Sequence, residues 1–353
     1  MRKFWKILKR VVFTAALVLI ISAGAGVAYI HSLDLDAQPA ANPATTVESL
    51  TFLKHAVAPP RGRILAIVTS TAKAAGGRVS AGFELTELSR AYYTFRANGF
   101  EVDIASPKGG KPPVRLDDEL VDADYAFLND TEAQRLLANS LPLASVDPET
   151  YAAVYFVGGK GAMFDFPGNP DVHRIIRSIY ANGGVIGAVC HGPMALVGVH
   201  LPGGRRLLDG RHVTGFTNEE ELFLIADAGA VFPVLLQDAL MLEGASFAEG
   251  PMYLDNTVVD GQVVTGQNPW STWSVAEAMV RTLGYEPAPR QPTGEELAVR
   301  VLRAYHREGL HAADRVREEL RGADRRLLLM HAFVAAMQLR PRMAYHLQSL
   351  IAP

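Results

Sequence analysis

The chain has 353 residues, about half of them apolar, and a formal net charge of −3. That is enough material for one large or two modest domains with a buried core, and the near-balanced charge excludes the basic footprint of a nucleic-acid binder. A single cysteine excludes an internal disulfide and any cysteine-based zinc site.

The N-terminal stretch "MRKFWKILKR" carries Arg2, Lys3, Lys6, Lys9 and Arg10 and no acid, and residues 11–30 that follow are uncharged. At about 1.5 Å per residue such a run reaches across a hydrocarbon core of about 30 Å. Residues 1–31 are therefore expected to form a basic flank and a single-pass membrane anchor. The N-terminus would be cytoplasmic, and everything after His31 periplasmic or otherwise extracytoplasmic. The small residues of "SAGAGVA" offer the rival, a cleaved signal peptide that would leave a secreted protein. Residues 32–60, polar and Ala/Pro-rich at first, read as a linker.

Residues 61–287 read as one α/β domain. Ile64 to Val68 is an apolar strand. In "GFELTELSRAYYTFRANGF", Leu85, Leu88, Tyr92 and Phe95 recur at helical spacing, and Asn98-Gly99 ends that helix. "EVDIASP" gives a second strand and Tyr151 to Gly159 a third; "DVHRIIRSIYANGG" is a helix and "VIGAVC" the fourth strand. Residues 111–149, without a strong period, form an insertion placed to cover the carboxyl edge of the sheet or to idle on the surface. Further on come a strand in "RHVTGF", a helix in "NEEELFLIADAGA", a hairpin over Asp260-Gly261 and a closing helix in "STWSVAEAMVRTLGY". Strands alternating with helices predict a doubly wound, mostly parallel sheet with helices on both faces, a three-layer sandwich.

Residues 288–353 differ. Thr293 and Glu296 have capping-box spacing before "LAVRVLRAYHREGL", "DRRLLLMHAFVAAMQL" is a second amphipathic helix, and Pro341 precedes a third. This helical extension is expected to pack on the domain or on a second copy as a homo-oligomer.

The only cysteine, Cys190, stands at the end of "VIGAV" and before Gly192-Pro193, with "PMALVGV" resuming as a helix. A cysteine in an apolar run is often just a small buried side chain. At a tight strand-to-helix turn, however, a thiol is held above the carboxyl edge of the sheet, where a helix N-terminus and a basic partner favour the thiolate.

The stretches "GFELTELSRAYYTFRANGFEVDIASP", "VGGKGAMFDFP", "YANGGVIGAVCHGP", "VTGFTNEEE" and "VVTGQNP" occur in this order. Together they resemble the ThiJ/PfpI superfamily, which shares the flavodoxin-like, class I glutamine amidotransferase type of fold, and within it the heat-shock-chaperone and glyoxalase III branch. The resemblance spans Arg63 to about Gly284. It implies Cys190 as nucleophile, His191 as its basic partner, Glu221 as the acid that orients the histidine, with Glu219 and Glu220 adjacent, and Glu87 as a carboxyl near the thiol. Without the family the three acids read as a solvated helix start, and Glu87 as an exposed helix residue. Gly158 and Gly159, with the N–H of His191, are candidates for an oxyanion hole, or ordinary turn glycines. Lys160 departs from the branch, which often has histidine there, and leaves the polarity of the pocket open.

The resemblance implies a glutathione-independent conversion of α-oxoaldehydes such as methylglyoxal to hydroxy acids, with no metal or cofactor. Cys-His-Glu equally suits a cysteine amidase or peptidase acting on a peptide substrate. A stress chaperone or an oxidisable thiol sensor is the reading without turnover.

Overall fold

Short runs rich in β-branched and aliphatic residues build a seven-stranded sheet in the computed structural model, which describes residues 2–35, 38–77, 79–116 and 119–351. The strands are β1 (Arg63–Ile67), β2 (Glu101–Ser106), β3 (Leu141–Pro142), β4 (Ala153–Phe156), β5 (Val185–Val189), β6 (Thr257–Asp260) and β7 (Val263–Gly266). Their order across the sheet is β6-β7-β5-β4-β1-β2-β3, and every neighbouring pair is parallel except the hairpin β6–β7. β4 and β5 are buried along their whole length, as strands covered on both faces must be. The predicted strand in "RHVTGF" is only His212–Val213 and pairs with Ser246–Phe247 outside the main sheet.

Helices follow the strands as the alternation requires. α1 is Arg2–Ser32, α2 Leu85–Ala97, α3 Asp122–Asn129, α4 Thr131–Ala138, α5 Pro170–Ala181, α6 Asn218–Leu224, α7 Leu236–Leu242 and α8 Thr272–Thr282. α2 ends at Asn98, and Gly99 takes φ +79, a left-handed conformation that favours glycine. The segment 111–149, two of whose residues, 117 and 118, lie outside the described set, contributes α3, α4 and the edge strand β3. Its Val114–Arg115 pairs in parallel with Phe83–Glu84, the stretch leading into α2. Ser106 Oγ and Ser140 Oγ, 2.8 Å apart, tie its far end to β2.

The chain falls into two compact units, Ala41–Pro292 and a second composed of Met1–Ala40 with Thr293–Pro353. Part of the stretch expected as a linker belongs to the first unit. Leu50 is buried there, Asn42 N–H donates to Asp122, and Asn129 donates to the carbonyls of Pro43 and Thr45. In the second unit four helices follow Pro292: α9 (Gly294–Glu308), α10 (Leu310–Leu320), α11 (Arg325–Met337) and α12 (Pro341–Ser349). They bury Ala298, Val301, Leu302, Ala313, Leu328, Ala335 and Leu347 and leave Phe333, Met337 and Tyr345 exposed; nothing among the described residues of this unit supports the homo-oligomer expected through these helices.

The expected membrane anchor over residues 11–30 is corrected here. Among the described residues no helix is long and apolar enough to cross a membrane. The helix α1 runs without a break from the basic flank, with Lys9, Arg10, Thr14, Gly24 and Gly26 along it, while the side chains at 11, 15, 18, 19, 22 and 23 lie outside the described set. The membrane partner, the cytoplasmic N-terminus and the extracytoplasmic placement of the catalytic domain lose their basis with it.

One buried ion pair ties the helix that carries Glu87 to the rest of the first unit. Arg90 on α2 meets Asp124 on α3 at 3.1 Å, both almost fully buried, and Asp124 also accepts from Ser89 Oγ and from the N–H of Val121. Removing one partner of such a pair leaves a charge without compensation, at a cost of about 3–5 kcal/mol. Asp124→Ala is expected to lower the unfolding free energy by that amount in urea titration; a loss below about 1 kcal/mol would show that α2 is held otherwise.

Candidate active site

β5 ends on Val189, and the next residue, Cys190, turns into the left-handed region with φ +57. For a residue with a Cβ that conformation is strained, so the surroundings must hold it. The N–H of Cys190 donates to Gly266 O on β7 at 3.0 Å, and its carbonyl accepts from Phe216 N–H at 2.9 Å. The turn thus lifts the thiol above the carboxyl ends of the parallel strands, where open α/β sheets carry their sites.

The chain after the elbow differs from the expectation. Instead of an α-helix, Gly192–Leu196 forms a single short 3-10 segment, closed by Val197 and by Gly198 at φ +75. The segment after the elbow therefore supplies no long helix dipole, and the thiol is not made acidic. Burial pushes its pKa well above the ordinary value, the charges of Glu87 and Glu84 push it further, and only a hydrogen bond from the Gly159 N–H acts against them.

Four side chains come from three separate places in the chain. Cys190 Sγ lies 3.3 Å from His191 Nδ1, and His191 Nε2 lies 2.6 Å from Glu221 Oε2. With the Nε2 proton facing the carboxylate, Nδ1 presents its lone pair to the sulfur. On the other side, Glu87 makes a hydrogen bond with the thiol. Glu87 sits in the first turn of α2 and is fully buried, not exposed; almost the whole of α2 is inside, which hides its polar face from a periodicity argument.

The glycines after β4 have different roles. Gly158 donates its N–H to Glu87 Oε2 at 2.7 Å, which commits that donor to the carboxyl and removes it from the expected oxyanion hole. A Cβ there would lie 2.6 Å from the same oxygen. Gly159, at φ +97, aims its N–H at the sulfur instead. Lys160 follows, half-buried, and no hydrogen bond among the described residues brings it to the thiol.

The three consecutive glutamates separate completely. Glu219 is exposed and Glu221 meets His191. Glu220 is buried and accepts five hydrogen bonds: from Thr217 N–H and Oγ1 at 3.0 and 3.2 Å on one oxygen, and from Tyr253 N–H, Gln267 Nε2 and Asn268 Nδ2 at 2.7, 3.1 and 2.9 Å on the other. Burial raises its pKa even so. It clamps the start of α6 to the loop after β7 and so places Glu221.

Three contributors are absent from the motif reading. Phe216 and Phe232 lie against the imidazole of His191, with ring centroids 4.8 and 6.0 Å away. Glu84, paired with Arg115 at 3.4 Å, adds a second acidic charge beside the thiol. Phe216 closes the "VTGF" stretch and Glu84 is three residues before Glu87, but nothing near Phe232 points to the site. Among the described residues no three His, Cys, Asp or Glu side chains are grouped to hold a metal ion.

The sequence pattern of the DJ-1/PfpI family matches residues 78–282, more than half of the chain and the whole of this constellation. The chain belongs to the DJ-1/PfpI family. It is similar to the Schizosaccharomyces pombe protein named glutathione-independent glyoxalase hsp3101, 33% identical over 218 residues, covering 58% of this chain and 88% of that one. Glutathione-independent glyoxalase HSP31 of Saccharomyces cerevisiae is 33% identical over 215 residues, 57% of this chain and 89% of that one. Among solved structures, glyoxalase III from Candida albicans superposes with a TM-score of 0.56 at 28% identity, over 63% of this chain and 97% of that one. Rapid encystment protein 24 kDa from Francisella tularensis gives 0.59 at 32%, over 63% and 99%. The DJ-1/PfpI fold accounts for the parallel sheet and the elbow of this chain, while residues 1–77 and 283–353 lie outside the family match.

Glu220→Gln tests the clamp. An amide offers one oxygen where the carboxylate offers two, so its NH2 must face either the Thr217 donors or the trio from Tyr253, Gln267 and Asn268. The expected result is a loss of about 1–3 kcal/mol of stability in chemical denaturation. An unchanged midpoint would mean that these donors find other partners.

Proposed function

We propose that this protein converts α-oxoaldehydes such as methylglyoxal to 2-hydroxy acids without glutathione, as a glyoxalase III-like hydro-lyase acting through Cys190. The observation that carries the reading is the thiol bracketed by the Glu87 carboxyl on one side and the His191–Glu221 pair on the other. The names of the fungal relatives support it. So does access: Cys190 is only 3% exposed, which suits a three-carbon aldehyde better than a polypeptide.

Because its pKa is raised, the thiol is protonated at neutral pH, and its proton passes to His191 Nδ1 as the sulfur attacks the aldehyde carbon C1. Glu221 stabilises the imidazolium, as a carboxylate on the far ring nitrogen does. The product is a hemithioacetal, whose oxygen lies within the reach of the Gly159 and His191 N–H groups. A base removes the C1 proton to give an enediol and returns a proton to C2; Glu87, beside the sulfur, is assigned that transfer. The resulting thioester takes up water, releases the hydroxy acid and restores the thiol. Water is the only co-reactant, and oxidation at C1 balances reduction at C2.

Methylglyoxal turnover to lactate by the full chain is the direct test. Cys190→Ala is expected to lose at least about a thousandfold in kcat/KM, while the exposed substitution Val259→Thr retains wild-type rates. Absence of turnover by a folded wild type would remove the proposal.

Glu87→Gln separates the acidity of the thiol from the chemistry. Below its raised pKa the sulfur is a thiol, so alkylation by iodoacetamide should speed up as pH rises. Removing the Glu87 charge lowers that pKa and enlarges the thiolate fraction at a fixed pH of about 8. The variant should then alkylate faster, by about tenfold in the fully developed case, while methylglyoxal turnover falls about a hundredfold or more. Slower alkylation in the variant would show Glu87 to be a proton donor that stabilises the thiolate.

A further inference from the structure

The C-terminal helices, outside the family match, enclose a cleft of about 540 Å³ where the end of α9, the start of α10 and the first turns of α12 converge. Its polar lining is Tyr305, His306, His311, Arg342 and His346, with no carboxylate among them. Among the described residues none of the basic side chains in this lining forms an ion pair, and burial together with the neighbouring charge of Arg340 holds the His306 imidazole below its ordinary pKa range.

The helix termini here run against the usual rules. α9 and α11 begin with capped N-termini, at Thr293 and Asp324. α10 and α12 begin at Gly309 and Arg340 with no side-chain cap and no acid in the first turn. Instead the basic residues His311 and Arg342 stand in those first turns, where the macrodipole disfavours the guanidinium charge of Arg342. Local choices that oppose the fold in this way are expected at binding sites. What complements unpaired guanidinium, imidazole and N–H donors together is an anion.

We infer that this cleft is a binding site for a phosphate group, carried by a small organic molecule. Donors approach from three helices, which suits a tetrahedral oxyanion with several acceptors; a planar carboxylate is satisfied by one bidentate arginine. The volume lies within the range of small-molecule sites and exceeds what phosphate alone would fill. The Tyr305 hydroxyl and His346 Nδ1, 3.1 Å apart, hold the two rings edge to face at 5.8 Å beside the remaining space.

Calorimetric titration of the full chain with inorganic phosphate and with phenyl phosphate at pH 7 tests this. Saturable binding is expected, weakened at least about tenfold in Arg342→Gln and in His311→Gln, whose circular dichroism should match the wild type because both positions are exposed. Phenyl phosphate binding more tightly than phosphate supports the organic ligand stated here. Equal affinity would assign the site to free phosphate and overturn the organic part of the inference. No saturable binding, binding unaltered in Arg342→Gln, or tighter binding of acetate than of phosphate would overturn it altogether.

Discussion

A cysteine held in the left-handed region of backbone space costs about 1–2 kcal/mol, and the carboxyl edge of the sheet is arranged around keeping Cys190 there. The neighbouring strand β7 takes its N–H through Gly266, and Phe216 holds its carbonyl. With the backbone so fixed, the sulfur of Cys190 and the ring of His191, adjacent in the chain, can face one another at 3.3 Å. Sheet order does the rest: β4, β5 and β1 lie side by side, so Gly158 and Gly159, the elbow and the start of α2 reach the same point from distant parts of the sequence.

Four glutamates surround this point, and their surroundings give each a different task. Glu221 has one short partner, His191, and Glu220 has five donors that make it a structural clamp. Glu87 is bound to a backbone amide and to the thiol, and Glu84 is turned toward Arg115. Chemically equivalent carboxyls thus diverge through burial and hydrogen bonding alone. The thiol feels two of them as repulsive charges, and so it rests as a neutral sulfur with an imidazole in contact.

Much of the architecture was legible because its signals are local. The end of α2 at Asn98-Gly99, the hairpin over Asp260-Gly261 and the Thr293–Glu296 cap need only a few adjacent residues. The motif order places Cys190 and His191 in the same way. The helix expected after the elbow shrank to one turn because Val197 is already extended at φ −67 and ψ 130 and Gly198 follows in the left-handed region, and "PMALV" alone does not reveal it. Phe232 and Glu84 could not be found, since their roles arise from three-dimensional proximity. The commitment of the Gly158 N–H to Glu87 is of the same kind: each residue stands out by itself, but their contact is written in no stretch of sequence.

That contact makes positions 87 and 158 a single unit of variation. The Glu87 carboxyl occupies the space that a side chain at 158 would need, and it draws one of its hydrogen bonds from the backbone that the missing side chain exposes. A larger residue at 158 would evict the carboxyl, and a shorter one at 87 would leave both a cavity and an unsatisfied amide. Drift at either site is therefore closed off unless both change at once, so a chain that kept its elbow but altered this pair would be expected to have left the present chemistry for another.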